Sequence, residues 1–274
     1  MGTVCVEVAV LDDRRLLAAL DSLASQRRRP DRVLVAASVA SPDELLVAAA
    51  SHAPVLRVEV VRLPAGIVAA RSASLPLLHE EIVAFLDADE RAPPEWLGAL
   101  VAPIERGEAA FTGGPTRPTR APESSIERYD DLLERSIYED LVPTSIAYVP
   151  LQNTAWRTPL LQGLGFDPRI PYAEDHDLEL RALRAGARGL FVPEAWVYHD
   201  KSEAGGLGRW ARKRYRYLVA MAMSLYKNGE LGGRLNEHRR PVRHPLRYLE
   251  SMMKPVALAH AWIRWRRVRS RPAA

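Results

Sequence analysis

The 274-residue sequence holds a single cysteine, Cys5, and that scarcity removes two classes of protein at once. No intramolecular disulfide can form and no thiolate metal cluster can be built, so a reducing compartment is the expectation. Long apolar runs are also missing. Nowhere do 18 apolar residues follow one another, which argues against a membrane-spanning helix. The N-terminus lacks a basic stretch followed by an apolar run and a small-residue cleavage site, so secretion is not expected either. There is no internal repeat and no low-complexity tract. Acidic residues run short in one region: residues 201–274 carry 18 lysines and arginines against 4 glutamates, whereas residues 1–200 carry 20 arginines against 30 acids. A balance of −10 followed by +14 reads as an acidic body with a basic appendage that faces a polyanion or an anionic membrane surface.

With 47% hydrophobic residues and 26% charged, the chain can bury a substantial core. Short apolar strands alternate with helical patterns over the first 90 residues, the signature of βαβ units and a parallel sheet. Val4–Val10, Arg32–Ala36, Leu56–Arg62 and Ile82–Leu86 read as strands. Leu16, Leu17, Leu20 and Leu23 recur at helical spacing between the first two, and Arg27–Pro30 ends that helix. Glu44–Ser51 is a weaker helix, and a third follows Gly66 and is interrupted by Pro76. The alternation stops after Asp89. Pro94 and Glu95 open a helix that ends near Gly107, and Gly113–Pro122 reads as a loop. Ser124 with Glu127 forms a capping box for a helix with Ile126, Tyr129, Leu133 and Ile137 on one face. Glu174–Ala185 is a further helix, stopped by Gly186.

Three groups of residues carry chemistry. The strand Ile82–Leu86 delivers Asp87-Ala88-Asp89 to its C-terminal end, where open α/β sheets place their ligands. Period-2 geometry points the two carboxylates the same way, and such a pair can hold a hard divalent cation against a diphosphate. Taken alone, the tripeptide also fits an ordinary turn. The second group is Glu174-Asp175-His176-Asp177 at a helix start, where acids complement the helix dipole whatever else they do. The third is His199 in the strand-like run Trp196–Asp200.

In order and spacing these pieces resemble the inverting glycosyltransferases of family 2, which have the GT-A fold. The resemblance runs from about Val4 to His199. It rests on Val10-Leu11-Asp12-Asp13, Ala69-Ala70-Arg71-Ser72, Phe85-Leu86-Asp87-Ala88-Asp89 with Pro94-Glu95-Trp96-Leu97, Gln152 to Arg157, Gly165-Phe166-Asp167, Glu174 to Arg181, and Val192 to His199. It implies an α/β, Rossmann-like mixed sheet flanked by helices over residues 1–200, with a basic helical extension over 201–274. It also implies a nucleoside-diphosphate sugar as donor, bound at Val10, Leu11, Arg71, Asp87, Ala88 and Asp89. Asp87 is then expected at the ribose or the metal's water shell, Arg71 at the nucleotide or its phosphates, Asp89 and His199 as ligands of Mn²⁺ or Mg²⁺, and Asp175 as general base. The acceptor is a hydroxyl on a glycan, a lipid-linked or a small molecule.

Two departures from the family pattern bear on the donor. Val35-Ala36-Ala37-Ser38 stand where an acid usually reads uracil, which leaves the nucleotide open, and Asp12-Asp13 and Ser72 replace frequent asparagines. A retaining GT-A transferase, a nucleotidyltransferase, and a non-catalytic module that binds a nucleotide sugar or scaffolds a membrane assembly remain alternatives. In the tail, Leu207, Trp210, Ala211, Leu218, Met221 and Leu225 recur at helical spacing, and a second stretch from Leu246 to Arg267 carries Leu249, Met252, Met253, Val256 and Ile263. Either these helices pack on the body with a basic face in water, or they bind anionic headgroups as amphipathic helices do. Nucleic acid is not expected, since no binding motif or stacking platform accompanies the basic residues. The expected location is the cytoplasm, peripheral at the inner face of the cell membrane.

Overall fold

A computed structural model describes residues 2–11, 13–52, 55–138, 149–200, 206–229 and 243–269. Asp12, the tail start at Lys201 and the last arginine, Arg271, lie outside the described residues, as does the side chain of Ile137. The first four strands are β1 (Val4–Val10), β2 (Arg32–Ser38), β3 (Val58–Leu63) and β4 (Ile82–Asp87). They are parallel, in the order β3-β2-β1-β4. Side-chain alternation sorts the core into two layers. Val4, Val6 and Val8 of β1 join Ile82, Ala84 and Leu86 of β4 on one face, beneath α1 (Leu16–Ala24), α2 (Asp43–Ala50) and α4 (Trp96–Glu105). Cys5, Val83 and Phe85 point to the other face, under α3 (Ile67–Ser74), α6 (Thr158–Leu164) and α7 (Glu174–Arg184). Cys5 is buried and its thiol is pushed up to about 12 by that burial, so it is inert packing.

Beyond β4 the sheet becomes mixed. β8 (Thr154–Arg157) runs antiparallel to both β4 and β6 (Phe111–Gly113), and β6 pairs parallel with β9 (Gly189–Phe191). A second sheet joins β5 (Glu90–Arg91), β10 (Val197–His199) and β7 (Thr116–Pro118) in the order β5-β10-β7. The segment Gly113–Pro122, expected as a loop, therefore contains a strand. Three residues are too few to show period-2 alternation, and β7 exists because β10 pairs with it. Its entry is tight: a Cβ on Gly114 would stand 1.9 Å from the Ala195 carbonyl oxygen, so only glycine fits.

Helix boundaries differ locally from expectation. Pro94 and Glu95 form the turn before α4, which begins at Trp96. α5 (Ser125–Tyr138) is capped as expected at one arm, with the Glu127 N–H donating to Ser124 Oγ at 3.1 Å. The Glu127 carboxylate reaches one residue further back than a capping box requires, accepting from the Glu123 N–H at 2.9 Å. α8 (Leu207–Lys227) lies on α7. Lys227 Nζ meets Asp177 at 2.8 Å and Asp167 at 2.7 Å, and His176 Nδ1 faces Ser224 Oγ at 2.9 Å. α9 (Pro245–Val268) packs along α8 through Ala257 and Ala261 and on α5 through Leu246, Leu249 and Met253.

Candidate functional site

The chain moves from β1 to β2 to β3 on one side and then returns to β4 on the other side of β1. Such a reversal leaves a crevice outside the C-terminal ends of the two central strands, the usual ligand position in open α/β sheets. β1 and β4 pair in register with Ala9 opposite Asp87, so the chain after each strand emerges at one edge. Val10 buries its side chain in the core and its carbonyl accepts from Ser41 Oγ, whereas Leu11 is exposed at the crevice edge.

β4 ends at Asp87, and Ala88-Asp89 form a turn closed by the Asp87 N–H donating to Glu90 at 3.1 Å. Strand alternation therefore does not extend to Asp89, and the two carboxylates take different partners rather than sharing one. Asp87 faces Arg71 Nη2 at 3.5 Å, and Asp89 Oδ2 lies 3.3 Å from His199 Nε2. Ala88, between them, is buried. His199 reaches this point because β10 pairs antiparallel with β5, setting His199 opposite Glu90, one residue from Asp89. The two residues stand 110 positions apart in the chain.

Arg71 is buried, and Glu174 of α7 holds it at 2.6 Å. The guanidinium thus ties the end of β4 to the start of α7, next to Asp175. Asp175 itself is half-buried, and its carboxylate accepts from the His176 N–H at 2.7 Å. Burial pushes Asp87 above the ordinary carboxylate range, with Arg71 opposing it. Asp89 is likewise penalised by burial, but the hydrogen bond with His199 wins and holds it low. The same pair acts on the imidazole: against the cost of burial, Asp89 and then Glu134 push His199 up to about 10.

Three side chains here have no counterpart in the sequence reading. Glu134 of α5 faces His199 Nδ1 at 3.8 Å, beside Gln152 Nε2 at 3.5 Å. Arg15, at the start of α1, holds Asp13 in a two-pronged contact, donates to the Asp200 carbonyl at 2.8 Å, and brings Nη2 to 3.9 Å from Asp89 Oδ2. Glu7 lies buried on β1, bonded to Ser74 Oγ at 2.7 Å, and burial raises it to about 7. Only Glu7 gave a local signal, an acid inside an apolar strand. Arg15, in the turn before α1, and Glu134, on α5, are charged residues indistinguishable by pattern from solvated ones. A shallow, open cleft lies beside His199, bounded by Pro118, Thr119, Arg120, Pro122 and Asp200.

Residues 11–156, more than half of the chain, match the model of glycosyl transferase family 2. The chain belongs to that family. The fold is the GT-A fold of its structural neighbours. A mannosyltransferase from Pyrobaculum calidifontis, solved with GDP-Man and Mn²⁺, aligns with a TM-score of 0.64 at 20% identity, covering 100% of this chain and 76% of that one. Glucosyl-3-phosphoglycerate synthase from Mycobacterium tuberculosis, solved with Mn²⁺, UDP and phosphoglyceric acid, gives 0.59 at 22% identity over 83% of this chain and 79% of that one. In sequence, a pre-mycofactocin glycosyltransferase of Mycobacterium tuberculosis is 30% identical over 152 residues, 52% of this chain. The chain spans about a third of that relative's length, 32%.

Proposed function

We propose that this chain transfers a sugar from a nucleoside-diphosphate donor to an acceptor hydroxyl, with inversion, in the crevice above β1 and β4. The observation that carries the reading is the meeting of Asp89 and His199 at 3.3 Å at the mouth of that crevice. One carboxylate and one imidazole suit Mn²⁺ or Mg²⁺ when substrate oxygens complete the coordination. Among the described residues no group of three or more His, Cys, Asp or Glu gathers into an all-protein cage, which fits a site that the diphosphate completes. The metal, when bound, supplies Lewis-acid stabilisation of the departing diphosphate.

This chain's own residues do the rest. Arg15, close to Asp89, is placed to receive diphosphate charge with the forked geometry that arginine offers. Asp175 takes the acceptor's proton, a contribution of about 10² to 10⁴ in rate. Arg71, held between Asp87 and Glu174, keeps the metal end and the base end in register. The acceptor, a glycan, lipid-linked or small molecule, presents its hydroxyl to Asp175. For the donor, Ala36 packs against Leu63 and Ala70 where a uracil-reading acid is usual, so the preference for UDP is relaxed and GDP or dTDP sugars become candidates. The place of work is the cytoplasmic face of an anionic membrane. No described helix is long and apolar enough to cross one.

Calorimetry with UDP, GDP and dTDP, with and without Mn²⁺, tests the site. Asp89→Ala and His199→Ala should each weaken metal-dependent nucleotide binding at least about tenfold. Unchanged metal titrations in both variants would show that the site is elsewhere. Retention of the anomeric configuration by NMR, or release of pyrophosphate, would replace the inverting transfer with one of its rivals.

A further inference from the structure

α9 is apolar on two sides, and folding accounts for only one of them. Its inner side supplies Leu246, Leu249 and Met253 to the cluster around Tyr129 and Trp210, and Ala257 and Ala261 to the cluster on α8. The outer side leaves Tyr248 77%, Met252 67%, Val256 60%, Trp262 47% and Ile263 45% exposed. The sequence pattern alone groups Leu249, Met252, Met253, Val256 and Ile263 together. The structure divides them, turning Leu249 and Met253 inward and Met252, Val256 and Ile263 outward. At 100° per residue, Tyr248, Met252, Val256, Ala259, Trp262 and Ile263 share an arc of about 120°, which is a continuous stripe and not scattered exposure.

The exposed charge that α8 and α9 themselves carry has one sign. α8 contains no Asp or Glu, and the only acid of α9 is Glu250, which is buried among cations. Arg264, Arg266, Arg267 and Arg269 stand exposed toward the C-terminal end of the stripe, with the Arg266 guanidinium 4.6 Å over the Trp262 ring. Arg209, Arg212, Lys213 and Arg216 of α8 are exposed as well. An apolar helix face that carries an aromatic ring and is bordered by arginines, with no exposed acid on α8 or α9, matches an anionic lipid interface in both hydrophobicity and charge.

We infer that the outer face of α9 lies in the surface of an anionic bilayer, with Met252, Val256 and Ile263 entering the acyl boundary and the arginines at the headgroups. This rests on the membrane location proposed above and assigns it to a face. It replaces a purely electrostatic tail with a contact that salt weakens but does not abolish, because Debye screening acts on the arginines and not on buried apolar area.

The experiment is flotation of the full chain with phosphatidylglycerol-containing and pure phosphatidylcholine vesicles at low and high salt. It compares wild type with Met252→Ser/Val256→Ser/Ile263→Ser, whose folding is checked by circular dichroism and melting temperature. Wild type should bind the anionic vesicles and keep a measurable fraction bound at high salt. The triple variant should bind at least about tenfold more weakly and lose the salt-resistant fraction, since three apolar side chains no longer leave water. Wild type remaining soluble at low salt would overturn the membrane location itself. Equal flotation of variant and wild type at every salt concentration would overturn the assignment to α9 while leaving the location standing. Concentration-dependent dimerisation of wild type that the triple variant abolishes, without vesicle binding, would give the stripe to a second copy of the chain and overturn the inference.

Discussion

Two buried glutamates mark the contrast between the two ends of the molecule. Glu250, in the helical pair, accepts from Tyr129 at 2.6 Å and is ringed by Arg214 at 3.1 Å, Arg247 at 3.0 Å and Lys254 at 3.6 Å. Against the cost of burial, Arg214 first and Tyr129 next hold it down at about 2. Glu7, beneath the crevice, has one hydroxyl partner, and its Oε1 is buried without a hydrogen bond. Burial wins there and raises it to about 7. Glu90 Oε1 and Arg71 Nε, at the same end, are also buried and unpartnered. One side-chain type thus serves as glue where cations outnumber it and as a destabilised group where they do not. Perturbed, under-satisfied groups are a common signature of functional sites, and Glu250 shows the satisfied alternative within the same chain.

The contrast can be broken from either side. The largest effect is expected at the crevice end with no stability cost: Asp175→Asn should lower transfer by about 10² to 10⁴, with nucleotide affinity within a few-fold by calorimetry. A large loss of nucleotide binding would sink the base role. At the other end, Glu250→Gln leaves three cations facing a neutral amide and should cost about 3–5 kcal/mol in urea denaturation. Because the folded carboxyl titrates below its unfolded value, its contribution is present above about pH 4.5 and is lost as pH falls toward 2. The acid limb of the stability curve should therefore flatten in this variant.

Glu7→Gln sharpens the contrast with the opposite sign. The folded carboxyl titrates above its unfolded value, so its cost appears as pH rises from about 4.5 through 7. The variant should gain up to about 3 kcal/mol at pH 8 and almost nothing at pH 4. An equal change at both pH values would show that Glu7 does not titrate in this window. The smallest effect belongs to the α5 cap, where Ser124→Ala should cost about 1 kcal/mol by removing the acceptor of the Glu127 N–H.

Legibility followed the range of the interactions. β1, β2, β4, α1 and α7 could be read within one or two residues, because each is long enough to show its apolar run or helical period in the sequence itself. β6, β7 and β9 could not. Each has three residues, and each is held by a strand or loop distant in sequence. Of the residues expected at the site, Asp87, Asp89, Asp175 and His199 were legible as family motifs, and the structure brings Asp89 to His199. Arg15 and Glu134 were not, because a charged residue in a surface-like pattern shows its partner only when a distant segment arrives beside it.

The sequence by itself determined the family, the parallel half of the sheet and the identity of the acids at the ends of β4 and α7. These follow from local periodicity and from motifs whose order survives without coordinates. Only the tertiary structure decided which partner each carboxylate takes. The strand ends at Asp87, the turn carries Asp89 elsewhere, and β10 brings His199 to Asp89 while α7 brings Glu174 to Arg71. It also decided which side of α9 is core, since a helix apolar on two faces has a pattern that fits either until α8 covers one of them.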